Sequence, residues 1–86
     1  MAWSTSIRVV YDDGDPVSGA EVTIFFGVFS GFDTERTDDD GWAEFSYDSI
    51  DENEQMRVSE IYVDHQRVAG DFSLDNGETR SFTKPD

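Results

Sequence analysis

The sequence predicts an all-β fold of about seven strands, mainly antiparallel, arranged as a Greek-key β-sandwich. Apolar residues recur with period two at Ile7, Val9 and Tyr11, at Val22, Ile24 and Phe26, and at Ala43, Phe45 and Tyr47. That spacing places side chains on one face of a pleated strand. Clusters of Gly, Pro, Asn and Asp interrupt these runs at intervals of roughly eight to twelve residues, the rhythm of a two-sheet sandwich. No segment carries a helix-length periodicity.

The first strand is expected from Ser6 to Tyr11, ended by Asp12-Asp13-Gly14-Asp15-Pro16, where glycine permits positive φ and proline removes a ladder donor. The second runs from Glu21 to Phe26, with Phe25 the apolar misfit on its polar side. Gly27-Val28-Phe29-Ser30-Gly31-Phe32 reads either as a bulged continuation of that strand or as a loop carrying exposed aromatics. A short polar strand from Asp33 to Thr37 follows, then Asp38-Asp39-Asp40-Gly41 as its hairpin turn, then a returning strand from Trp42 to Tyr47 with Trp42 out of phase. Asp48 to Gln55 lacks periodicity and reads as a surface connection with room for one helical turn between Ser49 and Glu54. Met56 to Val63 resumes alternation, with Met56, Val58 and Glu60 set against Arg57, Ser59, Ile61 and Val63; the change of apolar phase after Val58 points to a bulge or a register change. A two-residue turn at His65-Gln66, or one residue to either side, leads to a strand through Val68 and on to Leu74. Asp75-Asn76-Gly77-Glu78 then supplies an Asn-Gly turn before the last strand, Thr79 to Thr83.

Eighty-six residues suit a single domain spanning 1–86, of a size that buries roughly 60% of the unfolded chain's surface. There is no cysteine, so neither disulfides nor thiolate metal clusters support the fold, and the core must come from the 36% apolar residues, seven of them Phe. No apolar stretch approaches the roughly 18 residues that span a bilayer, and Met1 to Val10 has no basic region followed by a long apolar run. Localisation stays open between a cytoplasmic protein and an excised domain of a secreted one. Twenty acidic residues against six basic ones give a net charge of −14, a field that disfavours nucleic acid and anionic lipid as partners. It fits three circumstances: simple solubility, a basic partner, or adaptation to high salt, where self-repulsion is screened. Lys84 is the only lysine, and Asp outnumbers Glu by thirteen to seven.

The order Asp13-Gly14-Asp15-Pro16-Val17-Ser18-Gly19-Ala20, Val22-Thr23-Ile24 and Thr37-Asp38-Asp39-Asp40-Gly41-Trp42-Ala43-Glu44-Phe45 resembles the transthyretin-like, carboxypeptidase-regulatory-like and Cna B-type β-sandwich domains. The likeness covers the first half of the chain and extends loosely through Ile61 to Thr83. It implies a noncatalytic module that packs beside an enzyme or builds surface stalks and secretion assemblies. The isopeptide-forming lysine that some such modules carry in the first strand has no counterpart between Ile7 and Tyr11. The residues by which transthyretin-like hydrolases work are also unmatched, since His65 is the only histidine.

No cofactor is expected. Asp38, Asp40 and Glu44 are weak calcium candidates, with Asp12, Asp13 and Asp15 as further ligands if the two turns meet, but their spacing does not fit a helix–loop–helix calcium loop. His65 has no neighbouring motif to make it a base or a metal ligand. Phe25, Phe29, Phe32, Trp42 and Tyr62 fall where alternation or loop assignment predicts exposure, the alternative being that the Phe25 to Phe32 segment is buried on both faces or covers the end of the core; contiguous exposed apolar area marks a binding surface. The expected contact set is Phe29, Phe32 and Trp42, with Asp38, Asp39 and Asp40 supplying field and rim charge toward a protein partner with basic features. Alternatives are a sugar ring stacked on Trp42 and a calcium-dependent module.

Overall fold

The computed structural model describes residues 3–27, 31–48 and 50–85. Among these there is no helix, and thus none long and apolar enough to cross a membrane. Seven strands follow in order: β1 (Trp3–Val10), β2 (Glu21–Phe26), β3 (Gly31–Arg36), β4 (Trp42–Tyr47), β5 (Met56–Val63), β6 (Gln66–Leu74) and β7 (Thr79–Thr83). They form a three-stranded sheet in the order β4-β1-β7 and a four-stranded sheet in the order β3-β2-β5-β6. All pairings are antiparallel except that of β1 with β7. The two inner faces bury Ile7 and Val9 of β1, Val22 and Ile24 of β2, Ala43 and Phe45 of β4, Val58 and Ile61 of β5, and Leu74 of β6. The Greek-key sandwich expected from the alternation is what forms.

The strand boundaries depart from expectation for identifiable reasons. β1 begins at Trp3, which is fully buried, donates its indole N–H to the Glu54 carbonyl at 2.8 Å and packs against Tyr47. It ends at Val10 rather than Tyr11. Tyr11 lies in the turn, 46% exposed, accepting the Gly14 amide and donating its own to the Asp15 carbonyl. β3 runs from Gly31 to Arg36, so Thr37 falls outside it. Buried Thr37 ties the β1–β2 connection to the end of β3: its hydroxyl donates to the Val17 carbonyl at 2.6 Å and accepts the Ala20 amide at 2.8 Å.

Asp38-Asp39-Asp40-Gly41 does not close a hairpin between neighbouring strands. β3 and β4 belong to different sheets, and the turn carries the chain across the sandwich. Asp38 shapes it, one carboxylate oxygen accepting the amides of Asp40 at 2.9 Å and Trp42 at 3.0 Å. Gly41 takes φ of 85° against the first-strand backbone; a Cβ there would lie 2.7 Å from the Val9 carbonyl oxygen. Asp51 to Glu54 makes a single turn, not a helical one, with buried Ile50 anchoring the connection; Ser49 lies outside the described residues.

The phase change in β5 is a bulge at Ser59. Phe25 pairs with Glu60 and Phe26 with Val58, which leaves Ser59 unpaired on the β2 side, its hydroxyl bonded to the Phe25 carbonyl at 3.0 Å. One extra residue inverts the alternation. Ile61 and Val63 therefore point inward, and Glu60 points out rather than sharing the face of Val58. The β5–β6 hairpin turns at Asp64-His65, one residue earlier than His65-Gln66. Both residues have positive φ, 49° and 70°, as a two-residue turn matched to strand twist requires. Aspartate and histidine tolerate that conformation better than most side chains. The Asp64 carboxylate also accepts the Glu21 amide at 3.0 Å.

Candidate functional site

The registers of the four-stranded sheet determine which side chains meet on its outer face. Phe25 pairs with Phe32 on one side and Glu60 on the other, and Thr23 pairs with Thr34 and with Tyr62. Cross-strand neighbours on one face stand close enough to touch, so three rings from β2, β3 and β5 assemble into one cluster. The Phe25 ring lies 5.4 Å from Phe32 and 5.5 Å from Tyr62, the latter edge to face. Phe32 is 67% exposed and Phe25 36%. Both rings thus present apolar surface to water on the outer face of the sheet.

Polar groups are held around the rings. The Thr23 and Thr34 hydroxyls are 3.0 Å apart. The Glu21 carboxylate lies between the Arg36 guanidinium and the His65 imidazole, 3.5 Å from each. Tyr62 donates its hydroxyl to Glu60 at 2.7 Å, and that bond holds the phenol pKa above its ordinary value. Arg67 approaches the other oxygen of Glu60 at 3.9 Å. Glu21, Thr23, Phe25, Phe32, Thr34, Tyr62 and His65 together line a hollow of about 310 Å³.

The expected contact residues are not brought together. Phe32 is in this cluster, while Phe29 lies outside the described residues. Trp42 is on β4, in the other sheet, half-buried, with the Arg8 guanidinium 5.8 Å from its ring centroid. One face of the indole is thus taken by a cation. Asp38, Asp39 and Asp40 lie in the crossover turn. Asp38 is committed to backbone amides, Asp39 accepts the Ser18 hydroxyl at 3.3 Å, and the Asp40 carbonyl faces Arg8 at 3.4 Å. Among the described residues no group of three or more His, Asp or Glu side chains is placed to hold a metal ion.

Two other recesses are explained by structure. Tyr47 faces one with Phe26, Phe32, Asp33 and Met56; its hydroxyl donates to Asp33 at 2.9 Å, and burial followed by that bond pushes the phenol pKa far above the ordinary range. The second lies by Tyr11, Asp64 and Lys84. The Asp64 carboxyl is held below its usual value there, first by the Glu21 amide and then by Lys84 at 3.4 Å.

Phe25 and Tyr62 belong to the site although the expected contact set centred on Phe29, Phe32 and Trp42. The signal for Phe25 is its apolar side chain on the polar phase of β2. Tyr62 becomes its neighbour only through the β2–β5 register, which the Ser59 bulge sets. Comparison with protein-family models, curated proteins and solved structures gives no match to this chain.

Proposed function

We propose that this chain is a noncatalytic binding module of the transthyretin-like kind that engages a protein partner through the outer face of its four-stranded sheet. The observation that carries the reading is the exposed ring cluster of Phe25, Phe32 and Tyr62, which stand on three adjacent strands of one sheet. Aromatic side chains on a preformed surface provide large contact area at small entropic cost, which is why they dominate interface energetics. The family reading is supported by what its motif does locally. Ala20 is buried where the chain enters β2, and Gly19 and Gly41 both take positive φ at the turns the motif encodes.

The test is site-specific photo-crosslinking in native cells, with Phe32 replaced by p-benzoylphenylalanine and Glu44, on the opposite sheet, replaced likewise as control. A discrete protein adduct from position 32, absent from position 44 and lost when Phe25→Ser is added, is the expected result. Equal adducts from both positions, or none from position 32, would remove the reading.

A further inference from the structure

We infer that the aromatic face is self-complementary and that its partner is a second copy of this chain, in a dimer that strengthens with salt. The inference rests on the reading of this face as the contact surface and supplies the identity of the partner. What points to it is the distribution of charge. Three ion pairs lie on or at the edge of the outer face: Arg36 with Glu21 at 3.5 Å, Arg67 with Glu60 at 3.9 Å and Arg57 with Asp71 at 4.0 Å. Three of the six cations are therefore balanced there by three of the twenty carboxylates. Of the other described carboxylates, six lie in the turns at Asp12 to Asp15 and Asp38 to Asp40, outside these pairs.

A basic partner would be drawn to the acidic turns at Asp12 to Asp15 and Asp38 to Asp40, not to this balanced face. Two copies related by a two-fold axis fit it better. Each presents the same patch, so rings can pack on rings while each arginine finds a carboxylate of the other copy, as isologous interfaces require. The area also suffices. The molecule measures 36 × 22 × 16 Å, and its broad face matches the roughly 800 Å² per partner that a standard stable interface buries.

What opposes association is the net charge of both copies, whose centres would stand more than the 16 Å thickness of one molecule apart. The screening length is about 10 Å at 0.1 M salt and about 3 Å at 1 M, so this long-range repulsion disappears with salt while contact burial remains. The salt dependence is thus opposite in sign to that of a complex formed by attraction between opposite charges.

Sedimentation equilibrium of the full chain at about 0.05 M and about 2 M sodium chloride tests this, with dimerisation expected to strengthen at least tenfold at the higher salt. Phe32→Ser, at an exposed edge-strand position, should abolish the dimer with the far-ultraviolet circular dichroism unchanged. Thr34→Arg, which adds an unbalanced charge beside the rings without removing an apolar side chain, should do the same. A monomer at both salts, a dimer that weakens with salt, or a dimer that survives both substitutions overturns the inference. A monomer at both salts together with a foreign adduct from position 32 would leave the binding module standing and remove only the second copy as partner.

Discussion

At the scale of single residues, Tyr47 shows how one side chain links packing, hydrogen bonding and titration. Its ring meets Phe26 edge to face at 5.5 Å and Trp3 at 6.1 Å, and its hydroxyl reaches Asp33. Burial disfavours the phenolate, and the bond to a carboxylate disfavours it further, so the folded-state pKa is raised. The sign follows directly. A raised pKa contributes stability that is fully present below the unfolded value of about 10 and is lost as pH rises beyond it. Tyr47→Phe should cost about 1 kcal/mol at neutral pH through the lost hydrogen bond. Between about pH 9 and pH 12 the wild type should lose stability faster than the variant, so the gap between their urea midpoints narrows. A gap that stays constant across that range would show that the Tyr47 proton is not coupled to folding. Trp3 makes a different point at the same scale. Trp3 and Thr5 continue the alternation of Ile7 and Val9 toward the N-terminus, and both are buried; the strand was expected only from Ser6, because the polar neighbours Ser4 and Ser6 obscure that continuation.

At the scale of elements, turns decide more than strands. The Asp38–Gly41 turn has the composition of a hairpin loop, yet it carries the chain from one sheet to the other. Turn chemistry specifies local φ and ψ, not which strands will pair. Two glycines with similar φ separate strain from crowding. Gly41 at 85° presses on the Val9 carbonyl and on Pro16, whereas Gly77 at 81° has open space where a Cβ would go. Gly77→Ala should cost about 1 kcal/mol from the left-handed backbone alone. Gly41→Ala should cost about 3 kcal/mol or more, because the clash with backbone adds to the same strain. Chemical denaturation of the two variants measures both, and equal losses would mean that the close approach at Gly41 carries no energy. The bulge at Ser59 was legible as a break in apolar phase, and the structure locates it against Phe25 and Phe26.

At the scale of the whole molecule, the charge of −14 governs behaviour that no single contact explains. Arg36, Arg57, Arg67, Arg80 and Lys84 each lie within ion-pair distance of a carboxylate, and Arg8 stacks near Trp42. The cations are thus largely engaged, and most carboxylates repel one another across the surface. Folding concentrates that charge, and self-repulsion opposes the compact state. Raising salt from about 0.05 M to about 2 M should therefore stabilise the fold by at least about 1 kcal/mol, a rise in Tm of about 4–8 °C for a chain this size. The Phe32→Ser variant is the right material, since it removes any contribution from self-association. A salt-insensitive transition would show that the acidic surface is spread thinly enough to cost nothing.

The sequence by itself determined that seven strands form, roughly where they fall, which side chains of β2 and β4 face inward, and where the backbone must reverse. These follow from alternation and turn chemistry, which act between residues near in the chain. Only the tertiary structure decided that β3 and β4 part company, that β1 and β7 run parallel, that Trp42 and Phe32 lie on opposite faces, and that Phe25, Phe32 and Tyr62 meet. Strand pairing joins residues far apart in sequence, and its register depends on how both sheets fill one core. A side chain's outward direction can be read from its own strand, but its neighbours are set by strands that the local pattern does not name.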